Sequence, residues 1–261
     1  MLRKSLTIVC VLLILLSANG FADMSYYHLD DAESGVVVVT YPVEKDVRYK
    51  IMLQKDEKKY YYDLISEAVR LPLQMGEGTY TIAILKHEYG ITYSYDYETT
   101  FDVKSIKEEQ LYLNSIVNID WNEENDSISF LEQLLENNMS DTLKVEMIHE
   151  YLAESLSYDS DKYSAIEGAY LPDIDDIFES KSGICYDFSS LLASLLRSEG
   201  IQTKLVMGYR ADTSVYHAWN EVYLNDEWQI IDLTLDIQYF QKGYMYELFK
   251  DAFFYDVHAE Y

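Results

Sequence analysis

The chain has 261 residues, of which 49% are hydrophobic and 15% aromatic, and its formal net charge is −26 at pH 7. This length and apolar content suffice for one large domain or two small ones with packed cores, and they argue against an intrinsically disordered chain. The balance of 20 Lys and Arg against 46 Asp and Glu argues against nucleic acid and anionic lipid as partners, because both require a basic surface.

Residues 1–22 have the layout of a secretory signal peptide. Arg3 and Lys4 precede an apolar run over residues 6–16, and small side chains follow up to Ala22, as in a cleavable leader. The run is short for a membrane-spanning helix. We therefore expect cleavage after Ala22 and a secreted or cell-envelope protein. An uncleaved N-terminal anchor is the alternative, and it would also export the rest of the chain.

Residues 23–104 are predicted to form a small antiparallel β-sandwich of the immunoglobulin-like type. Alternating apolar and polar residues with turn residues at short spacing are typical of such domains. The predicted strands cover residues 36–39, 48–53, 59–64, 69–73 and 78–85, with one or two more between 89 and 103. In the last segment, Tyr93, Tyr95 and Tyr97 alternate with other residues and are predicted to share one sheet face. We interpret this row as an ordinary half-exposed strand face, with a carbohydrate-binding platform as the alternative.

Residues 105–140 are predicted to be a helical connector, and residues 141–261 a second domain of α+β class. Ser140 or Asp141 can cap a helix at the start of that domain. The apolar residues of this helix are Leu143, Met147, Ile148, Tyr151 and Leu152. The segment 157–176 is acidic but lacks the glycine and terminal Glu of a calcium-binding loop. We therefore predict a solvated loop there, and no metal site.

Cys185 is the single cysteine left once the predicted leader is removed. It cannot form an intrachain disulfide, so in an oxidising compartment it reacts, links two chains or is inert. An apolar stripe follows it, and Gly200 ends the predicted helix; the stripe consists of Phe188, Leu191, Leu192, Leu195 and Leu196. Cys185 thus lies outside the stripe in the first turn, where free N–H groups and the helix dipole favour a thiolate. Asp187 is predicted to cap or orient the helix start, and Arg197 to make an ion pair or a packing contact at the helix end.

A hairpin after this helix can place a histidine beside a carboxylate. Strands are predicted over residues 201–210, 217–224 and 227–232, and Asn225 and Asp226 form the tight turn between the last two. With a two-residue turn, Trp219 lies opposite Asp232, and His217 is the diagonal neighbour of Asp232 on the same face. Such neighbours are close enough for a contact between a histidine and a carboxylate.

Cys185, His217 and Asp232 are therefore the predicted catalytic residues, as nucleophile, base and orienting acid. The thiolate would attack an acyl carbon, the imidazolium would protonate the leaving amine, and the main-chain N–H of Cys185 would donate to the oxyanion. We expect no cofactor and no metal. The other histidines are predicted to be structural and to have no such carboxylate partner; they are His28, His87, His149 and His258.

Five sequence blocks, in the right order, resemble the transglutaminase-like superfamily. They are Gly183-x-Cys185-x-Asp187-Phe188, Leu196-Arg197-Ser198-x-Gly200-Ile201, Val206-x-Gly208-Tyr209, His217-Ala218-Trp219-Asn220-Glu221-Val222 and Trp228-x-x-Ile231-Asp232-x-Thr234, all within residues 141–236. The resemblance, which is greatest to exported bacterial members with a β-rich N-terminal region, implies a papain-like α+β fold. It places the family's catalytic Cys, His and Asp at Cys185, His217 and Asp232. Many members have Asp-Pro-Thr in the last block, whereas this chain has Leu233, so we expect a slightly different turn and intact chemistry.

The sequence thus predicts an exported cysteine-dependent enzyme that cleaves or transfers the acyl groups of peptide or protein amides through a thioester. A protease, a peptidase and a transglutaminase all remain open, because the acceptor depends on water exclusion and on the shape of the acceptor site. The expected partner is a protein or peptide substrate, with cell-wall peptide as one candidate. One alternative is a non-catalytic cell-envelope binding or adhesion module that retains the fold. Another is that the N-terminal sandwich binds carbohydrate or cell wall and brings the catalytic domain to its substrate.

Overall fold

The computed structural model describes residues 25–166 and 168–261. The predicted signal peptide, residues 1–22, therefore lies outside the described residues. Within the described part of the chain, no helix is both long enough and apolar enough to cross a membrane.

Two antiparallel sheets form the N-terminal part. Their strands are β1 (Tyr27–His28), β2 (Val36–Thr40), β3 (Tyr49–Lys55), β4 (Lys58–Asp63), β5 (Ala68–Pro72), β6 (Gly78–Tyr89) and β7 (Thr92–Val103). The strand orders are β1-β2-β5 and β4-β3-β6-β7. Side chains of both sheets, among them Val37, Leu71, Ile51 and Ile82, form one buried core, because the strand period of two directs alternate residues to one face. The predicted antiparallel strands are confirmed, while the immunoglobulin-like type stays a prediction.

A β-bulge in β7 separates Tyr97 from the other two tyrosines of that strand, Tyr93 and Tyr95. Tyr95 pairs with Leu85, and Tyr97 pairs with Ile84, the residue before Leu85, so Asp96 is an extra residue on β7. An extra residue reverses the face to which the neighbouring side chains point. Tyr97 accordingly packs against the core between the sheets, whereas Tyr93 packs beside Leu85 on the other face. The prediction of one shared tyrosine face is therefore wrong.

Helices follow the sheets: α1 (Glu108–Leu111), α2 (Asp126–Ser129), α3 (Leu131–Leu134) and the longer α4 (Asp141–Ser155). Ser140 caps α4, since its hydroxyl accepts a hydrogen bond from the N–H of Leu143 at 3.3 Å. Leu143, one of the apolar residues named for this helix, is 42% exposed; the buried side is formed by Val145, Ile148, His149, Leu152 and Ala153. The predicted boundaries at residues 104 and 140 stay predictions.

The acidic segment after α4 is more ordered than a solvated loop. It contains β8 (Ser157–Tyr158), α5 (Ser160–Ala165) and α6 (Ile174–Ser180), and β9 (Ser182–Gly183) follows it. Asp173 caps α6 by accepting from two main-chain N–H groups, and Asp175 accepts from both the N–H and the hydroxyl of Ser127. Burial raises the pKa of Asp175, but hydrogen bonds from Asn125 and Ser127 outweigh burial and hold it below its usual value. Among the described residues, no group of three or more His, Cys, Asp or Glu could hold a metal ion.

A four-stranded antiparallel sheet forms the C-terminal part, with helix α7 (Cys185–Ser198) packed on it. The strands are β10 (Thr203–Arg210), β11 (Tyr216–Leu224), β12 (Glu227–Ile231) and β13 (Tyr255–Glu260), in the order β12-β11-β10-β13, and α8 (Leu233–Gln241) follows β12. The predicted two-residue turn is confirmed: Leu224 pairs with Glu227, and both Asn225 and Asp226 have positive φ, 53° and 66°, as a type I′ turn requires. The sequence did not predict β13.

Arg197, at the end of α7, hydrogen-bonds to both the connector and the C-terminal sheet. Its guanidinium donates to the main-chain oxygens of Asn114, Thr203 and Tyr261 at 2.6, 2.8 and 3.0 Å. Of the two roles predicted for Arg197, the structure supports packing, because the side chain is buried and donates to main-chain oxygens. Burial lowers the pKa of this guanidinium to about 9, because the low-dielectric surroundings disfavour its charge.

Candidate active site

Cys185 is the first residue of α7 and is 8% exposed. Twelve of the fourteen residues of α7, including Cys185, are buried. The five residues of the predicted apolar stripe all belong to one hydrophobic core cluster, and Cys185 lies outside that cluster, as predicted. Its place in the first turn is as predicted. Main-chain N–H groups in that turn have no partners inside the helix, so they favour a negative charge on the Cys185 side chain.

His217 and Asp232 meet through the register of the β11–β12 hairpin. Asn220 pairs with Ile231, which places Trp219 opposite Asp232 one step further along. The imidazole Nε2 of His217 lies 2.9 Å from Oδ2 of Asp232. The side chain of His217 is 11% exposed and that of Asp232 is fully buried.

The thiol of Cys185 also contributes to the raised pKa of His217, so it lies close to the imidazole. Because Nε2 faces Asp232, the nitrogen left for the thiol is Nδ1. Burial by itself lowers the pKa of His217, but hydrogen bonds and negative charge from Asp232 and Cys185 outweigh burial and raise the pKa from 6.5 to about 9. An imidazole with this pKa is protonated at neutral pH and can stabilise an adjacent thiolate.

Asp232 receives more donors than the sequence indicated. The hydroxyl of Tyr255 donates to Oδ2 at 3.1 Å, Nη1 of Arg210 lies 3.5 Å from the same oxygen, and the N–H of Leu235 donates to Oδ1 at 3.0 Å. Burial raises the pKa of Asp232, but the bond and charge of His217, followed by Leu235 and Arg210, outweigh burial and lower it from its usual value. Sequence reasoning missed Tyr255 because β13 carries no clear strand pattern, and Arg210 because its contact joins non-neighbouring strands.

Asp187 holds the start of α7 in place. Its Oδ2 accepts from the N–H of Ile184 at 2.9 Å and lies 2.7 Å from Nζ of Lys162, while the hydroxyl of Tyr170 donates to Oδ1. The prediction that Asp187 orients the helix start is therefore confirmed. Gly183 is required beside it, because a Cβ at that position would come within 2.8 Å of Oδ2 of Asp187.

His149 also has a carboxylate partner, so the prediction of unpartnered histidines is wrong for this residue. Its Nε2 lies 2.9 Å from Oδ2 of Asp236, and Nζ of Lys250 lies 2.7 Å from Oδ1. His149 and Asp236 are both buried. The cluster joins α4, α8 and the segment before β13, and Asp236 lies one helical turn beyond Asp232. His258 has an exposed neighbour, Asp256, at 3.5 Å.

Residues 128–233 match the family model of the transglutaminase-like superfamily. These residues form a transglutaminase-like domain. The matched segment contains Cys185, His217 and Asp232, and so covers both the start of α7 and the β11–β12 hairpin. No curated protein shows significant similarity to the chain.

Solved structures with low identity also match the chain. A candidate cysteine protease from Cytophaga hutchinsonii matches with 15% identity over 76% of this chain and 71% of that one, with a TM-score of 0.41. The periplasmic domain of TgpA from Pseudomonas aeruginosa matches with 12% identity over 84% and 97%, with a TM-score of 0.38. Red sea bream transglutaminase matches with 13% identity over 76% and 48%, with a TM-score of 0.33.

Replacing Tyr255 tests its hydrogen bond to Asp232. Burial and the negative charge of Asp232 raise the pKa of Tyr255, so its hydroxyl stays protonated and donates. We expect Tyr255→Phe to lower the free energy of unfolding by about 1.5–3 kcal/mol, the usual contribution of a hydrogen bond to a charged group. Urea unfolding at neutral pH measures the change. Tyr216→Phe on the same sheet is the control, because Tyr216 is 43% exposed; an equal loss in both variants would contradict the prediction.

Proposed function

We propose that the chain is an exported cysteine-dependent enzyme that cleaves or transfers the acyl groups of peptide or protein amides through a thioester. The observation that supports this proposal is the His217 imidazole, whose Nε2 lies 2.9 Å from Asp232 and whose pKa, despite burial, is raised to about 9 by Asp232 and Cys185. A buried thiol near a partly exposed imidazolium and a fully buried carboxylate is an arrangement suited to nucleophilic catalysis. The proposed substrate is a protein or peptide, with cell-wall peptide as one candidate.

The first half of the proposed reaction forms the thioester. The thiolate of Cys185 attacks the carbonyl carbon, a C–S bond forms, and the main-chain N–H of Cys185 donates to the oxyanion. The imidazolium of His217 gives its Nδ1 proton to the leaving nitrogen as the C–N bond breaks, and a free amine departs. Asp232 keeps the ring oriented, because its bond to Nε2 fixes which nitrogen faces the sulfur.

The second half releases the acyl group. Water or an acceptor amine gives a proton to the now neutral His217 and attacks the thioester carbon. The C–S bond then breaks, the thiolate of Cys185 returns, and the product is an acid or a new amide. Water gives a hydrolase and an amine gives a transglutaminase.

An activated ester tests this proposal without knowledge of the natural substrate. We expect p-nitrophenyl acetate to place one acetyl group on Cys185, as seen by intact-mass spectrometry, and the Cys185→Ala variant to remain unmodified. At about pH 6 the His217→Ala variant should be acetylated about tenfold more slowly, since it lacks the imidazolium that stabilises the thiolate. His258→Ala is the matched control, because it removes a histidine beside an exposed carboxylate elsewhere on the same sheet.

An acetylation rate that is unchanged in His217→Ala would overturn the proposal in favour of a non-catalytic envelope module. Acetylation of residues other than Cys185 would overturn it in the same way. Where acetylation behaves as expected, its decay separates the two reaction types. Decay in buffer alone indicates hydrolysis, and decay that requires added glycine ethyl ester indicates transfer to an amine.

A further inference from the structure

A buried carboxylate lies beside the candidate nucleophile. Asp187 follows Cys185 by two residues in the first turn of α7, which is about 3 Å further along the helix axis, and its side chain is fully buried. Two unit charges within about 10 Å of each other, at an effective dielectric constant of about 20, interact strongly enough to change a thiolate population about tenfold. An ionised Asp187 by itself therefore opposes the thiolate that the proposed reaction requires.

The start of α7 nevertheless requires a hydrogen-bond acceptor at this position. Oδ2 of Asp187 accepts from the N–H of Ile184 at 2.9 Å, which fixes the main chain directly before the N–H of Cys185. The carboxylate is also packed against the strand that leads to the cysteine, because a Cβ on Gly183 would come within 2.8 Å of the same oxygen. The helix start thus needs the acceptor, whereas the thiolate is opposed by its charge.

Lys162 supplies a compensating charge. Its Nζ lies 2.7 Å from Oδ2 of Asp187, and the Lys162 side chain is 30% exposed. The hydroxyl of Tyr170 donates to Oδ1, but burial and Asp187 raise the pKa of Tyr170, so this group stays neutral. Among the residues that the structure describes, Lys162 is therefore the one cation in an ion pair with Asp187.

The main chain of β8 and α5 places Lys162 beside Asp187. Tyr158 on β8 pairs with Gly183 on β9, and the N–H of Asp159 donates to the oxygen of Gly183 at 2.8 Å. Oδ1 of Asp159 then accepts from the N–H of Lys162 at 2.7 Å and caps α5. The main chain that carries Lys162 is thus bonded directly to the strand that leads into α7.

The other charged groups around the start of α7 do not replace Lys162. Asp232 and His217 pair with each other, and His149 of α4 pairs with Asp236 of α8. Burial and Cys185 raise the pKa of Tyr158 to about 12, so its hydroxyl is neutral. The charged residues that α6 and its cap contribute to the cleft lined by Lys162 are all acidic: Asp173, Asp176 and Glu179.

We propose that Lys162 is a positioning residue of the candidate active site: by cancelling the charge of Asp187, it allows Asp187 to hold the start of α7 without suppressing the thiolate of Cys185. This role rests on the proposed function, in which Cys185 reacts as a thiolate. Removing the cation leaves a net negative charge beside the thiolate, and removing the carboxylate leaves a net positive one. The two changes should therefore have opposite effects on thiolate formation.

The pH dependence of alkylation tests this role in the His217→Ala chain, where thiolate formation no longer depends on the imidazolium. The rate of reaction with iodoacetamide is measured at the Cys185 peptide by mass spectrometry from about pH 5.5 to 9.5. We expect Lys162→Met to shift the midpoint of the profile up by about one pH unit. Below the midpoint the rate should fall about threefold, because about tenfold fewer thiolates form and each is about threefold more nucleophilic.

Three further variants separate the charge of the pair from its structural part. Asp187→Asn keeps an acceptor oxygen for Ile184 and should shift the midpoint down, and the Lys162→Met/Asp187→Asn combination should return it close to the parent value. Lys162→Arg keeps the cation and should restore the parent profile. Lys50→Met is the matched control and should change nothing, because Lys50 on β3 also lies 2.7 Å from a carboxylate, that of Asp63, and is 32% exposed.

A midpoint that does not move in Lys162→Met overturns the proposal. Shifts in the same direction in Lys162→Met and Asp187→Asn overturn it as well, since the pair would then act only by holding α7 in place. Where Asp187→Asn does not fold, Lys162→Arg decides, because an upward shift as large as that of Lys162→Met would contradict a role of the charge. The thioester is tested in the chain that retains His217, so failure of that function and failure of this role are distinguishable.

Discussion

At about pH 6, iodoacetamide is expected to alkylate Cys185 about ten times faster in the wild-type chain than in the His217→Ala variant. An ordinary thiol, with a pKa near 8.5, is only about 0.3% thiolate at that pH. A neighbouring imidazolium can therefore raise the thiolate fraction by up to about 300-fold. The less basic thiolate is also a weaker nucleophile, by about 10–50-fold for a few pKa units, so the expected net gain is about tenfold.

The pH dependence of the alkylation rate tests the imidazolium–thiolate pair more sharply than a rate measured at a single pH. His217 carries its proton up to its pKa of about 9, so the wild-type rate should stay nearly level from about pH 6 to 9. In His217→Ala the rate should rise through this range, and the two rates should converge above about pH 9, where His217 has lost its charge. His258→Ala controls for the loss of a histidine elsewhere. Parallel profiles in the wild type and His217→Ala would contradict an imidazolium–thiolate pair.

Local patterns were enough to predict how His217 and Asp232 meet. The turn residues Asn225 and Asp226 fix a two-residue loop, and the loop length fixes which residues of the two strands pair. Because side chains alternate between faces with a period of two, this register also fixes which side chains share a face. The helix after Cys185 follows in the same way from apolar spacing and a terminal glycine. These features depend on residues close together in sequence.

The features that sequence reasoning missed depend on distant residues. Tyr255 reaches Asp232 because β13 pairs with β10, and no turn or periodic pattern links those two segments. His149 and Asp236 pair across two helices whose packing is set by the whole core. The bulge at Asp96 escaped detection because a single inserted residue leaves the alternation of tyrosines unchanged in the sequence while it reverses their faces in the sheet.

Replacing Asp232 should affect both stability and reactivity. Its fully buried carboxylate binds His217, Tyr255 and the N–H of Leu235, so Asp232→Ala leaves buried donors without an acceptor. We expect a loss of about 3–5 kcal/mol in the free energy of unfolding, the usual cost of removing one partner of a buried ion pair. Asp232→Asn keeps the volume and should lose less stability, but alkylation of Cys185 at about pH 6 should slow in both variants, because a neutral side chain supports the imidazolium less.

Asp236→Asn separates the two effects. Asp236 is also fully buried on α8, where it binds His149 and Lys250, so its replacement should destabilise the chain as well. It does not contact His217, and the alkylation rate of the folded Asp236→Asn protein should therefore match that of the wild type. Slowing of alkylation in Asp236→Asn and Asp232→Asn alike would mean that Asp232 acts only through stability.

The stability lost in Asp232→Ala should depend on pH with a defined sign. The pKa of Asp232 is lowered from 3.8 in the folded chain, so its contribution is present above about pH 4 and is lost as the pH falls through the folded pKa. The pKa of His217 is raised from 6.5 to about 9, so its contribution is complete below 6.5 and is lost as the pH rises through 9. The difference between wild type and variant should therefore be largest between about pH 4 and 6.5 and should shrink by up to about 3 kcal/mol towards high pH. Urea unfolding at about pH 5, 7 and 9.5 and constant ionic strength measures it, and a difference that stays constant, or grows with pH, would show that the pair carries no charge.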